Sequence, residues 1–158
     1  MKFARTIRLD ISDTQVFPMA AEPEEWAVTG TFAFAASDPA DWSRKEQLAF
    51  RSGWLGTASF GRATFVQVAV LPDTQMEELV RRLAGHLYQQ FGAPDMLAAS
   101  EAARAEIADM ATLCDHPAGT LLGMERDLGD DGITERVRVV PRPDEPDHAR
   151  IWTLEPDD

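Results

Sequence analysis

The run Ala63-Thr64-Phe65-Val66-Gln67-Val68-Ala69-Val70-Leu71, closed by Pro72, constrains this chain more than any other stretch. β-Branched and aromatic residues at this density favour a pleated backbone, so 60–71 reads as one long, mostly buried strand. The rest of the chain has to be arranged around it. Residues 3–9 form a second strand, with Phe3, Ile7 and Leu9 on one face and Arg5 as its odd member. Residues 25–36 form a third, in which Trp26, Val28, Phe32 and Phe34 alternate with Thr29 and Thr31. Gly30 falls in the apolar register there and marks a bulge or a close neighbour.

Helices are announced by their ends. Asp38 caps and Pro39 suits the first helical position, which predicts a helix over 39–52 stopped by Gly53. Thr74 and Glu77 have the spacing of a capping box, and the stripe Met76, Val80, Leu83, Leu87 and Phe91 predicts a helix over 74–91. Asp95 caps a third helix over 96–114, with Ala103, Ile107, Met110 and Cys114 inward. Strands near 119–127 and 133–140 flank Gly129-Asp130-Asp131-Gly132, where Asp-Gly is a favoured hairpin pair. Residues 141–148 read as a loop and 149–154 as a short last strand. The order is strands, helix, strand, two helices, strands, without the regular alternation of a doubly wound fold. The fold class is therefore α+β, a mainly antiparallel sheet with about three helices on one face.

At 158 residues, with 44% apolar and 27% charged residues, the chain fits a single domain over 1–158 with a flexible acidic C-terminal end. A domain of this size buries roughly 68–70% of its unfolded surface. Lys and Arg number 15 against 27 Asp and Glu, a formal net charge of −12. Nucleic-acid binding needs a basic footprint, which this balance opposes. The start lacks the apolar core of a signal peptide, and no apolar run approaches the ~18 residues of a membrane span. The expected location is the cytoplasm, with no membrane partner. Cys114 is the only cysteine, so an intrachain disulfide and a Cys-rich zinc site are excluded.

The segment from Arg51 to Arg62 carries the main functional expectation. Gly56 and Gly61 have the spacing of a phosphate-binding loop, but Arg62-Ala63 stands where Lys and Ser or Thr are needed. A helix also precedes the loop and a strand follows it, the reverse of that motif. Ser59 lacks the first glycine of a nucleophile elbow, because Thr57 stands there. What remains is a glycine-permitted connector with two arginines around an aromatic. Arg51, Trp54, Ser59 and Arg62 are the candidate residues for a carboxylate, a phosphate or an acidic partner side chain. The plainer alternative is that both arginines pair internally and Trp54 packs inward.

Cys114 and His116, with Asp115 between them and Asp109 upstream, are weak candidates for a metal. One Cys and one His fall short of a closed site, so neither metal nor cofactor is expected. Cys114 continues an apolar stripe, and His116 complements a helix C-terminus before Pro117. His86 and His148 stand alone. The acidic turn after Asp127 fails as a calcium loop, since Gly129 replaces a ligand and Arg138 the bidentate acid.

Three stretches carry a family likeness. They are Gly53-Trp54-Leu55-Gly56 with Ser59-Phe60-Gly61 and Ala63-Thr64-Phe65-Val66; Leu113-Cys114-Asp115-His116-Pro117 with Gly119-Thr120-Leu121; and Arg5-Thr6-Ile7-Arg8-Leu9-Asp10. Together they resemble a family of small bacterial proteins of unknown function, over most of the chain. The resemblance implies no activity and no role for any residue. It implies only company with accessory factors for metalloenzyme assembly.

Two function classes follow. The first is a non-catalytic binding or accessory domain that works through contacts with another protein, since no nucleophile–base pair, metal set or phosphate loop survives inspection. The second is a small enzyme or small-anion-binding protein with its site near 51–62. A deep concave pocket with convergent polar groups favours the second, and a flat apolar patch the first. Four tryptophans and a short terminal strand also predict weak homodimerisation through a sheet edge or aromatic surface.

Overall fold

The computed structural model of the chain describes residues 1–141. Two antiparallel sheets share one core. The larger holds β1 (Lys2–Ile7), β5 (Phe65–Val70), β6 (Leu121–Gly129) and β7 (Gly132–Val140), in the order β1-β5-β6-β7. The smaller holds β2 (Ala27–Val28), β3 (Trp54–Gly56) and β4 (Arg62–Ala63), in the order β2-β3-β4. The helices are α1 (Ser12–Val16), α2 (Arg44–Ser52), α3 (Asp73–Gln90) and α4 (Met96–Leu113), so the α+β class holds.

Register decides which side chains meet. Thr6, Val66, Leu122 and Val139 are successive cross-strand partners, as are Ala4 with Val68 and Met124 with Val137. Directly paired residues lie on one face of a sheet. Ala4, Val66, Val68, Leu122 and Met124 form the apolar row of that face. They share the core with Leu79, Val80, Leu83 and Leu87 of α3 and Ala103, Ile107, Met110 and Cys114 of α4. The α4 stripe read from the sequence is thus buried, as are Val80, Leu83 and Leu87 of the α3 stripe, while its end members Met76 and Phe91 pack half-buried against the same core. Each large side chain there contributes on the order of 1.5–3 kcal/mol by leaving water.

The long strand over 60–71 is two strands. β4 pairs with β3 in the small sheet, and β5 pairs with β1 and β6 in the large one. The chain changes sheet at Thr64, whose N–H (3.3 Å) and hydroxyl (2.6 Å) donate to the buried carboxylate of Asp13. The two sheets also meet at 24–28. Thr6 N–H donates to Glu25 O (2.8 Å) and Glu24 N–H to Thr6 O (2.7 Å), so this stretch covers the outer edge of β1 before it enters β2.

The strand predicted over 25–36 shrinks to Ala27–Val28, and Thr31–Ala36 forms a 3-10 turn instead. Gly30 breaks the pleat with φ 71°. A Cβ at that position would stand 2.4 Å from Leu55 Cβ, so the left-handed turn and the close approach both require glycine. The alternation of Phe32 and Phe34 misleads because the rings go to different partners. Phe32 packs edge-on to Phe91, and Phe34 to Trp42 and Phe50.

Helix 39–52 is shorter at its start. Asp38 caps only a 3-10 turn over Pro39–Asp41, and α2 begins with a capping box between Ser43 and Glu46. The box expected at Thr74 and Glu77 does not form. α3 begins one residue earlier, with Pro72 at the N-cap and no side-chain cap. α4 starts at its Asp95 cap, as expected. The hairpin between β6 and β7 turns through Asp130 and Asp131, and the positive φ falls on Gly132 (110°) after the turn. The strand expected over 149–154 and the acidic end lie outside the described residues.

Candidate functional site

Two buried arginines organise the region where 51–62 meets the rest of the fold. Alternation along β6 puts Arg126 on the inward row after Leu122 and Met124, and its cross-strand partner is Glu135. Its Nε donates to Glu135 (3.2 Å) and to the Thr31 hydroxyl (2.9 Å). Its Nη1 donates to Phe50 O (2.8 Å) and Gly53 O (3.0 Å), and Nη2 to Thr29 O (2.6 Å). Phe50 belongs to the last turn of α2, whose end carbonyls lack intrahelical donors, so Arg126 serves as a C-terminal cap from another element.

Arg62 leaves β4 toward the same carbonyls. Its Nη1 donates to Gly53 O (3.1 Å) and Thr29 O (3.2 Å), and its Nη2 to Gly30 O (2.9 Å). Both guanidinium carbons stand over the ring of Phe34, at 4.5 Å for Arg62 and 5.2 Å for Arg126. Carbonyl dipoles and a ring quadrupole therefore hold two like charges side by side. Glu135 neutralises Arg126, whereas Arg62 has no ion pair among the described residues. Burial first, and then the Arg126 charge, push Arg62 down to about 9. It remains a cation at neutral pH, with its charge uncompensated.

The glycine-containing loop 56–61 cradles an anion, and the anion is the chain's own. Buried Glu25 accepts from Ala58 N–H (2.9 Å) and Ser59 N–H (2.8 Å) on Oε1. Its Oε2 accepts from Glu22 N–H (2.6 Å) and from the Ser59 hydroxyl. A Cβ on Gly56 would meet Glu25 Oε1 at 2.4 Å, so the carboxylate takes the space that a side chain would fill. Ser59 is thereby committed to the loop, and its oxygen also accepts from Gly61 N–H (3.0 Å). Phe60, at φ 59°, stacks flat on His86, with centroids 3.8 Å apart and planes 8° apart. Burial, and then Arg62, hold the His86 imidazole below its usual range.

Beside these groups lies a cavity of about 300 Å³, lined by Met19, Phe34, Trp42, Glu46, Phe60 and Arg62 among others. Phe34, Trp42 and Phe50 form one aromatic cluster, with centroid separations of 5.0 to 5.8 Å. Larger hollows exist, such as one of about 540 Å³ beside Gln67 and Thr120, but no cation lines that one. The aromatic cavity joins apolar walls to the buried Arg62, whereas a hollow of about 450 Å³ is lined by the half-buried Arg5 and Arg8 without an aromatic wall.

The four candidates from the sequence separate here. Arg62 lines the cavity. Ser59 serves Glu25. Trp54 is fully buried in the core with its Nε1 unpartnered, so its ring does not turn outward. Arg51 is exposed on α2 and is not among the cavity's lining residues. Cys114 is fully buried, and burial pushes its thiol up to about 12. Among the described residues no cluster of three or more His, Cys, Asp or Glu side chains is placed to hold a metal. Sequence reasoning missed Glu25, Phe34, Trp42 and Arg126. Only Arg126 left a trace, as a charge in the inward register Leu122, Met124, Arg126.

The fold and site define an α+β domain with a small aromatic cavity walled on one side by a buried arginine. No helix among the described residues is long and apolar enough to cross a membrane. The chain belongs to the family of unknown function DUF6505, whose model matches residues 1–152. It matches none of the curated proteins and none of the solved structures.

Proposed function

We propose that this chain is a non-catalytic binding domain that takes a small organic anion in the cavity at Arg62. The observation that carries this reading is the uncompensated Arg62 charge in an aromatic-walled hollow of about 300 Å³. That volume is at the lower end of ligand pockets, roughly 300–1,000 Å³, and suits a carboxylate with one ring or branched chain. A carboxylate near Arg62 supplies the countercharge that the fold withholds. Binding rather than turnover is favoured by the lining. It contains no histidine or cysteine, and its serine, Ser37, accepts from Trp42 Nε1 (2.7 Å). Between the two function classes open from the sequence, a concave site with a placed charge supports the small-anion reading better than a flat protein-contact surface.

The test is calorimetric titration of the full chain with phenylpropionate and with phenylpropanol, its neutral counterpart. Saturable binding of the acid alone is expected, with at least a tenfold loss in Trp42→Ala, whose ring lines the cavity and is only half-buried. Equal binding of acid and alcohol, or no binding of either, removes the reading.

A further inference from the structure

We infer that the cavity's ligand is a zwitterion, an α-amino acid with an aromatic or large aliphatic side chain. This rests on the anion-site reading and narrows it. The added observation is that Glu46 lines the same cavity of about 300 Å³ as Arg62. A simple organic acid would gain from Arg62 and lose to Glu46, and a polyphosphate would lose more. A molecule with a carboxylate and an ammonium one carbon apart can use both charges within so small a space.

Glu46 is held for that task by its place in the helix. It is the third residue of α2, and its Oε1 accepts from the backbone N–H of Ser43 (2.8 Å). Its backbone N–H in turn donates to the Ser43 hydroxyl (3.1 Å). The capping box therefore fixes the side chain while Oε2 has no hydrogen bond among the described residues. Arg62 is fixed just as firmly by three carbonyls, and its Nε makes no hydrogen bond among the described residues. Phe34, Trp42 and Phe60 line the same cavity as the two charges. Rings give a flat side chain offset-stacked or edge contacts and favour an ammonium over their faces. The cavity thus has one feature for each part of an apolar amino acid.

The substitution Glu46→Gln tests this cleanly, because Gln also completes a capping box and α2 should keep its start. Phenylalanine, N-acetylphenylalanine (no ammonium) and phenylalaninamide (no carboxylate) are titrated into the full-length chain and into Glu46→Gln, with circular dichroism confirming the fold. For wild type, phenylalanine is expected to bind at least tenfold tighter than either derivative. In Glu46→Gln the preference for phenylalanine over the acetylated form should collapse to within about twofold. If N-acetylphenylalanine binds wild type as tightly as phenylalanine, and phenylalaninamide binds weakly, the zwitterion inference is overturned while the anion site stands. Were phenylalaninamide the tightest ligand, or were none of the three to bind, both would fall. A tenfold preference left intact in Glu46→Gln would remove Glu46 as its source and overturn the inference.

Discussion

Single side chains set the character of the cavity region, and Glu25 shows how. Its carboxylate faces four donors: three backbone N–H groups and the Ser59 hydroxyl. An acceptor on both oxygens is needed. Glu25→Gln keeps the shape but turns one acceptor into a donor that meets other donors. Such a buried mismatch costs on the order of 1–3 kcal/mol. Urea denaturation should show an unfolding free energy lowered by that amount, read as a lower midpoint with an unchanged slope, and the amides of Ala58 and Ser59 should exchange faster. A variant as stable as wild type, with those amides still protected, would mean that Glu25 is not what holds the loop. The same residue explains why the glycine spacing resembled a phosphate loop. The backbone does gather donors around an anion, and the chain fills the nest itself.

Between elements, Arg126 is the principal tie around the cavity. It joins β6 to β7 through Glu135, to the end of α2 through Phe50 and Gly53, and to the 29–30 turn through Thr29. α2 also carries Glu46 and follows directly on Trp42, so the cavity's geometry depends on where that helix ends up. Arg126→Gln keeps some polarity but cannot span these partners. Its side chain is fully buried while that of Glu135 is 29% exposed, so the stranded acid regains part of its hydration. The expected loss is about 2–4 kcal/mol in thermal or urea unfolding, between the cost of one charged hydrogen bond and that of a broken buried pair. The variant should also weaken phenylpropionate binding, although Arg126 is not among the residues that line the cavity. A loss below about 0.5 kcal/mol, the range of ordinary surface substitutions, would refute this role.

At the scale of the molecule, one core serves both sheets and the two long helices, so opening any part of it should be rare. Cys114 reports on this directly. It sits at the end of α4, fully buried against that core, with its thiol pushed up to about 12 by burial. The thiolate is the reactive form, so both access and ionisation oppose attack. At pH 8 a disulfide reagent should label the native chain at least a hundredfold more slowly than the chain in denaturing urea, and the native rate should rise as urea approaches the unfolding midpoint. Rapid labelling without denaturant would show that the end of α4 is loose.

Much of this architecture was legible in the chain itself. The stripe Val80, Leu83, Leu87 and the stripe Ala103, Ile107, Met110, Cys114 determined two helices and their inward faces, because a helix buries what recurs every three to four residues. The absence of strand–helix alternation determined the antiparallel class, which depends on connection lengths more than on contacts. Local signals failed where two partners competed for one stretch. Phe32 and Phe34 alternate like a strand, yet they are drawn to different rings, Phe91 and Phe50. Residues 60–71 read as one strand, yet Asp13 holds Thr64 at the point where two sheets divide it. The cavity was legible only as the single residue Arg62. Its other parts come from Phe34, Trp42 and Glu46, which carry no shared spacing with Arg62. Spacing encodes faces within an element. The meeting of Arg62 with Arg126, and of Glu25 with loop 56–61, is decided by packing between elements, where desolvation and hydrogen-bond geometry select partners far apart in the chain.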